Sequence, residues 1–105
     1  MTPYHILRKA VLERRPVRAT YQGHPREFCP YALGTKGDRQ HCLAYQFGGR
    51  STSGPITRGS PANWRCFDVG ALSEVALQEG AWVAAPNWDP KQACVDAIDV
   101  MVTPP

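Results

Sequence analysis

The sequence predicts a mainly β protein, a small barrel preceded by one N-terminal α-helix. Three observations support this prediction. Apolar residues recur at helical spacing before Pro16, they alternate with polar residues in several short segments after it, and turn-forming residues separate those segments. Closing a sheet removes edges that would otherwise pair with other chains, so a barrel suits many short strands. An open sheet backed by the helix is the alternative.

The N-terminal helix is predicted over about residues 3–15. Thr2 can cap it, and Pro3 fits the first helical position, where a missing N–H costs nothing. Pro16 cannot continue the helix and ends it. The apolar positions recur on one face of this helix: Tyr4, Leu7, Ala10 and Val11.

The barrel strands are predicted over about residues 17–79. Residues 17–21 alternate between apolar and polar side chains, and turns are predicted at residues 22–25 and 34–39. In residues 40–47, histidine, leucine and tyrosine share one face of the next strand, because successive side chains of a strand point to opposite faces.

Two further strands are predicted over residues 64–69 and 72–79, followed by a C-terminal extension over residues 80–105. Within it, residues 92–102 are predicted as a strand, although helical spacing fits almost as well. The loop of residues 50–63 has no periodicity, and loops of this length are usually functional or disordered. Its hydroxyl groups and glycines suit an anion, but it lacks a P-loop pattern, so nucleotide hydrolysis does not follow. A solvated connection is the alternative.

The length of 105 residues fits a single domain, predicted over residues 1–105, with one modest core. A content of 43% hydrophobic and 20% charged residues is ordinary for a soluble globular protein. No apolar run approaches the roughly 20 residues that span a bilayer, and no secretory signal is visible, so no membrane contact is expected. We therefore expect a cytoplasmic location.

The four cysteines, Cys29, Cys42, Cys66 and Cys94, lie far apart and form no Cys-x-x-Cys pair. Zinc sites usually draw ligands from close pairs, because a short turn can aim two thiolates at one ion. We therefore predict no metal site and no cofactor, and expect reduced cysteines that behave as small apolar residues. A disulfide or a metal site is the alternative.

The formal charge is distributed unevenly along the chain. Residues 1–65 carry eleven Lys and Arg against three Asp and Glu, a charge of +8, whereas residues 66–105 carry one Lys against six acids, a charge of −5. If the fold gathers the first group on one face, that face attracts phosphates, nucleotides or nucleic acid. The alternative is that these residues are scattered solubilising charges.

Three segments together resemble the WYL-domain family. They are "RRPVRATYQGHPREFCPYALG", "GDRQHCLAYQ" and "WRCFDVGAL", the last with the pattern Arg-x-Phe-x-aliphatic-x-x-aliphatic. The resemblance covers residues 5–79. The chain departs from the family pattern in two ways. The Trp-Tyr-Leu triplet of the family aligns with Gln40, His41 and Cys42, and we expect no N-terminal winged-helix DNA reader, which members usually carry. The chain therefore resembles a divergent, stand-alone member.

The resemblance implies an SH3-like or Sm-like barrel of the kind found in bacterial transcription regulators and defence-associated proteins. It also implies a sensor that binds an anionic nucleotide or short oligonucleotide. Catalysis is not expected, because a catalytic cysteine needs a base in reach and the side chains of His41 and Cys42 point to opposite faces of a strand. The alternatives for function are a protein-interaction subunit or homodimer and a direct single-stranded nucleic-acid binder.

Candidate ligand contacts combine cations for phosphate, aromatic rings for a base and polar groups of the loop. Arg65 ranks first, since it lies on a strand and matches the family pattern, although its partner could be a structural carboxylate. The aromatic candidates could instead be core residues, the histidine a structural group and the remaining charges surface groups. The full set is Arg65, Arg26, His41, Tyr21, Tyr45, Arg18, Arg58 and Asn63.

Overall fold

The structure, a computed structural model, describes residues 1–52 and 54–103. It contains one α-helix and a six-stranded antiparallel sheet, which confirms the prediction of a mainly β fold with an N-terminal helix. Two short 3-10 helices, Pro61–Asn63 and Val69–Ala71, flank the fourth strand. The elements are α1 (Pro3–Glu13), β1 (Val17–Tyr21), β2 (His24–Lys36), β3 (Arg39–Gly49), β4 (Trp64–Asp68), β5 (Ser73–Leu77) and β6 (Ala97–Met101).

The strands follow the order β4-β3-β2-β1-β5, with β6 paired to β2. Strand β2 is long enough to pair with β3 on one side and with two strands on the other, β1 along its first half and β6 along its second. Among the residues described, no pairing joins the edge strands β4 and β5, so the sheet is not closed and the barrel is not confirmed. In the same residues no helix is long and apolar enough to cross a membrane.

Helix α1 ends at Glu13, two residues before its predicted end. Arg14 adopts the left-handed conformation (φ 53°), and the backbone N–H groups of Arg14 and Arg15 both donate to the carbonyl of Ala10. These bonds close the last turn of the helix onto the Ala10 carbonyl, so the chain turns before it reaches Pro16. The N-terminal cap is as predicted, because the hydroxyl of Thr2 accepts from the His5 N–H.

The turn predicted at residues 34–39 is present but shorter than predicted. Strand β2 continues to Lys36, and the turn comprises only Gly37 and Asp38. Gly34 is a buried strand residue that pairs with Ile98 of β6, and the carbonyl of Ala97 lies where a Cβ would be. The glycine that indicated a turn is required instead for the close approach of two strands.

We expect Gly34→Ala to lower the free energy of unfolding by about 1–3 kcal/mol, the usual cost of overpacking. A Cβ at this position would overlap the carbonyl oxygen of Ala97 and lie 2.8 Å from Cγ1 of Val95. Denaturant unfolding measures the change. Gly70→Ala is the control, because its Cβ would meet only the Asp68 carboxylate, at 3.4 Å. Equal stability of the two variants would contradict the expectation.

The C-terminal extension belongs to the fold. Residues 97–101 form β6, so the strand interpretation of residues 92–102 is confirmed over this part. Tyr31, at a bulge in β2 next to Pro30, packs against Trp82 and Trp88 of the extension. The extension therefore covers one face of the sheet.

Candidate functional site

Arg26 lies in the interior, on the opposite face of the sheet from the extension. Only 2% of it is exposed, and its guanidinium donates to Oε1 of Gln46 (3.1 Å) and to the carbonyl of Tyr21 (3.3 Å). Its Cζ atom lies 5.4 Å from the ring centroid of Tyr21 and 5.8 Å from that of Phe67. The electron-rich faces of these rings attract the cation, but the rings carry no net negative charge that would neutralise it.

Arg65 lies on β4, which β3 separates from β2, and it faces the same side of the sheet as Arg26. It is half-buried, and its Nη1 donates to the carbonyls of Ala62 (2.6 Å) and Trp64 (3.1 Å). Its Nη2 donates to Oγ of Ser51 (3.3 Å). Arg65 therefore ties the start of the loop of residues 50–63 to its end.

We call Arg26 and Arg65 the arginine pair. Burial lowers the pKa of both guanidinium groups, and the charge of Arg65 lowers the pKa of Arg26 further. In the part of the chain that the structure describes, neither forms an ion pair with a carboxylate, and the Nε of each is buried without a hydrogen-bond partner. Buried charges are normally paired, so a bound anion would stabilise two like charges that lack a carboxylate.

Carboxylates elsewhere in the sheet are held by other partners. Glu27, the neighbour of Arg26 in the chain, accepts from Nε2 of Gln78 at 2.6 Å. Asp68, on the same strand as Arg65, forms a salt bridge with Arg39 at 2.7 Å, and this hydrogen bond lowers its pKa. Because both groups are engaged, they do not neutralise the arginine pair.

Several predicted contacts lie close to the pair. Tyr21 supplies its carbonyl to Arg26 and packs its ring against Phe67, with centroids 4.8 Å apart. Arg18 is exposed and lines, together with Arg26, an open groove of about 540 Å³. Glu74 lines the same groove, so its charge is mixed. The structure thus brings Arg65, Arg26 and Tyr21 together, with Arg18 at the surface beside them.

Other predicted contacts hold the loop. Tyr45 is fully buried, packs against Trp64, and donates through its hydroxyl to the carbonyl of Ser60 (2.9 Å). Asn63 is 3% exposed and donates through Nδ2 to the carbonyl of Thr57 (2.7 Å). These bonds position the loop above the sheet.

The remaining two candidates lie away from the arginine pair. Arg58 is exposed and lines a separate hollow of about 490 Å³ with Phe47 and Trp82. His41 pairs with Asp68 across the ladder and therefore points to the face opposite that of Arg65. The pleat of the strands separates it from the other cationic candidates.

Gln46 contacts Arg26 but is not among the residues predicted from the sequence. It is fully buried, its Oε1 accepts from Arg26, and its Nε2 donates to the carbonyls of Gly48 (2.9 Å) and Arg50 (2.8 Å). It connects Arg26 to the start of the loop. A signal was present, because a glutamine two residues after Ala44 falls on the side of the strand that carries the apolar residues Cys42 and Ala44.

The expectation of reduced cysteines is right for two residues and wrong for two. Cys29 and Cys42 are buried and free, and burial raises the pKa of both thiols, that of Cys29 to about 11. Cys66 and Cys94 form a disulfide with a Cα–Cα distance of 5.6 Å. The extension brings Cys94 back onto β4, a contact over 28 residues that no local pattern reveals.

We expect no rapid alkylation of the native, non-reduced protein by iodoacetamide. The thiolate is the reacting species, and the two free thiols are buried with raised pKa values. Unfolding without reductant should expose two thiols, and unfolding with reductant four, counted by intact mass spectrometry. Four labels without reductant would show that the disulfide is absent.

Comparison with known proteins gives one match. The family model for the WYL domain matches residues 4–77, from α1 to the end of β5. No curated protein and no solved structure shows significant similarity. The match includes both arginines of the pair and ends before the extension.

Proposed function

This chain belongs to the WYL-domain family, a family of ligand-sensing regulatory modules, and we propose that its arginine pair binds an anionic nucleotide or short oligonucleotide. The arginine pair is the observation that carries the proposal. Two guanidinium groups on one face of the sheet, close enough for the charge of Arg65 to lower the pKa of Arg26, have no carboxylate partner among the described residues. The Nε of each has no hydrogen-bond partner there. A bound phosphate would supply the missing charge and acceptors.

Phosphate suits the pair because a guanidinium presents parallel N–H donors that match two phosphate oxygens. The ring of Tyr21, already packed beside Arg26, provides an apolar wall for the remainder of such a ligand. These features favour a ligand with a compact anionic group attached to a larger body.

The loop provides a route from binding to regulation. The guanidinium of Arg65 donates hydrogen bonds to the carbonyls of Ala62 and Trp64 and to the hydroxyl of Ser51. A phosphate that draws this guanidinium away would release these contacts and change the loop of residues 50–63. The ligand would then alter the surface that a partner meets.

Direct binding of single-stranded nucleic acid is the second candidate. The hollow beside Arg58 has two partly buried aromatic side chains, Phe47 and Trp82, in its wall. A cation beside aromatic rings is the combination that single-strand binders use for bases. A steep fall of affinity with salt would favour this candidate, because each phosphate contact releases counterions.

Isothermal titration with mono-, di- and cyclic nucleotides and short oligonucleotides tests the proposal. We expect at least one compound to bind at low salt, and Arg65→Gln to weaken it by at least about 10-fold, the equivalent of one charged hydrogen bond. Lys9→Gln, a charge change on the exposed side of α1, is the matched control. No binding across the panel, or equal affinity of Arg65→Gln and wild type, would overturn the proposal.

A further inference from the structure

A second cluster of chemically active side chains lies on the face opposite the arginine pair. It contains His41 of β3, Cys66 of β4 and Cys94 of the extension, and one ligand atom of each lies within 4.8 Å of the others. Nδ1 of His41 is 3.6 Å from Sγ of Cys66 and 2.9 Å from the carbonyl oxygen of Cys94. Three separate segments therefore converge on one point.

The strand ladder sets the relation between His41 and Cys66. In the register of β3 and β4, Leu43 is opposite Cys66 and His41 is opposite Asp68. His41 and Cys66 are thus diagonal neighbours on one face, at a separation fixed by backbone pairing. This geometry does not depend on the disulfide.

Cys94 is also held by contacts other than the disulfide. The side chain of Gln92 accepts from the N–H of Val95 and donates to its carbonyl, both at 2.8 Å. The N–H of Asp96 donates to the carbonyl of Thr35 in β2 at 3.0 Å. Opening of the sulfur–sulfur bond would therefore leave Cys94 beside the strands.

Two thiolates and an imidazole are the donor types that Zn²⁺ prefers. Three protein ligands leave the fourth tetrahedral position for water or another ligand. Cys66 is exposed, so an ion can enter from solvent.

We propose that His41, Cys66 and Cys94 bind Zn²⁺ once the disulfide is reduced. A dithiol passes two electrons and two protons to the disulfide, which yields two cysteine thiols and the oxidised, cyclic form of the dithiol. Zn²⁺ then displaces both thiol protons into solution and binds two thiolates and the neutral imidazole. In the oxidised protein the two sulfurs are bonded to each other, and the site is closed to metal.

Cobalt(II) titration tests the proposal, because Co²⁺ substitutes for Zn²⁺ and its spectrum reports thiolate ligation. The full chain is reduced with a dithiol, freed from it by anaerobic gel filtration and titrated with Co²⁺. We expect one ion per chain, with a sulfur-to-cobalt charge-transfer band and the d–d bands of a tetrahedral site, and loss of these bands when Zn²⁺ is added. The oxidised protein should show none of them.

Variants assign the ligands. Cys66→Ser and Cys94→Ser should each weaken Co²⁺ binding by more than about 100-fold, beyond the usual effect of removing a group that only supports a ligand. Cys42→Ala removes a buried thiol outside the cluster and should bind as wild type. Circular dichroism shows whether each serine variant folds. His41→Asn keeps both sulfurs and should bind Co²⁺ more weakly than wild type, so it tests the imidazole ligand even if a serine variant fails to fold. The absence of a thiolate band in reduced wild type, or its survival unchanged in Cys66→Ser or His41→Asn, would overturn the proposal.

Discussion

Replacing Arg26 with methionine is expected to weaken anion binding by at least about 10-fold while changing the free energy of unfolding by no more than about 1 kcal/mol. Truncation of a buried side chain of similar size usually costs about 2–5 kcal/mol. Here the loss of the bonds to Gln46 and the carbonyl of Tyr21 is offset, because the substitution removes a buried charge and its repulsion with Arg65. Methionine keeps most of the volume against Phe67.

Denaturant unfolding measures the stability, and titration with the tightest anion of the panel measures the affinity. The matched control is Arg18→Met, which removes an exposed cation from the neighbouring groove and leaves the interior charges unchanged. A double-mutant cycle with Arg65→Met isolates the repulsion, since removal of either charge relieves it and removal of the second gains nothing more. A loss of several kcal/mol in Arg26→Met with unchanged anion affinity would show that Arg26 is a structural residue.

The sequence predicts which face of its strand Arg65 occupies, but it does not predict whether the arginine is structural or binds a ligand. Arg65 was predicted because it occupies an inward strand position between Trp64 and Cys66 and matches a family pattern. Alternation along one strand is local information, so it places Arg65 and Phe67 on the correct face. It cannot show whether a carboxylate lies near Arg65 in the interior, because that depends on which strands become neighbours. Only the assembled sheet shows that the nearby charged group is another arginine, Arg26.

The contacts of His41 also depend on tertiary structure that the sequence pattern does not reveal. Its alignment with the Trp-Tyr-Leu triplet indicated a ligand contact, but the pleat directs it away from Arg65 and toward the extension. Cys94 reaches it over a separation of 53 residues along the chain. Neither the disulfide nor the cluster around it follows from spacing, since each depends on how the extension returns to the sheet.

Gly34 was misleading because a tertiary contact overrides its local preference for a turn. Gly34 was read as a turn residue, yet it serves the packing of β6 onto β2. Pro30 lies within β2, where a proline normally interrupts a sheet, and the register shift between Pro30 and Ala32 accommodates it. The strand periodicity was correctly predicted on both sides of these residues because it depends on burial of one face.

We expect the extension, residues 80–105, to contribute as much to stability as the strands within residues 4–77, which match the family model. Substitution of Tyr31 tests this expectation most directly. Tyr31 is 4% exposed and packs against Trp82 and Trp88. Its hydroxyl donates to the carbonyl of Val83 at 2.8 Å and accepts from the N–H of Ala85 at 2.9 Å. One side chain therefore holds the extension through both apolar area and two hydrogen bonds.

We expect Tyr31→Ala to lower the free energy of unfolding by about 3–5 kcal/mol, the usual cost of removing a buried aromatic ring. Tyr31→Phe, which keeps the ring, should cost about 1–3 kcal/mol, because it leaves the Ala85 N–H without its acceptor and the Val83 carbonyl without its donor. Denaturant unfolding followed by tryptophan fluorescence measures both. Tyr4→Phe is the matched control, since it removes a tyrosine hydroxyl whose bond to Asp99 is exposed. If Tyr31→Ala were no less stable than Tyr4→Phe, the extension would contribute little to the fold, and residues 4–77 would hold most of its stability.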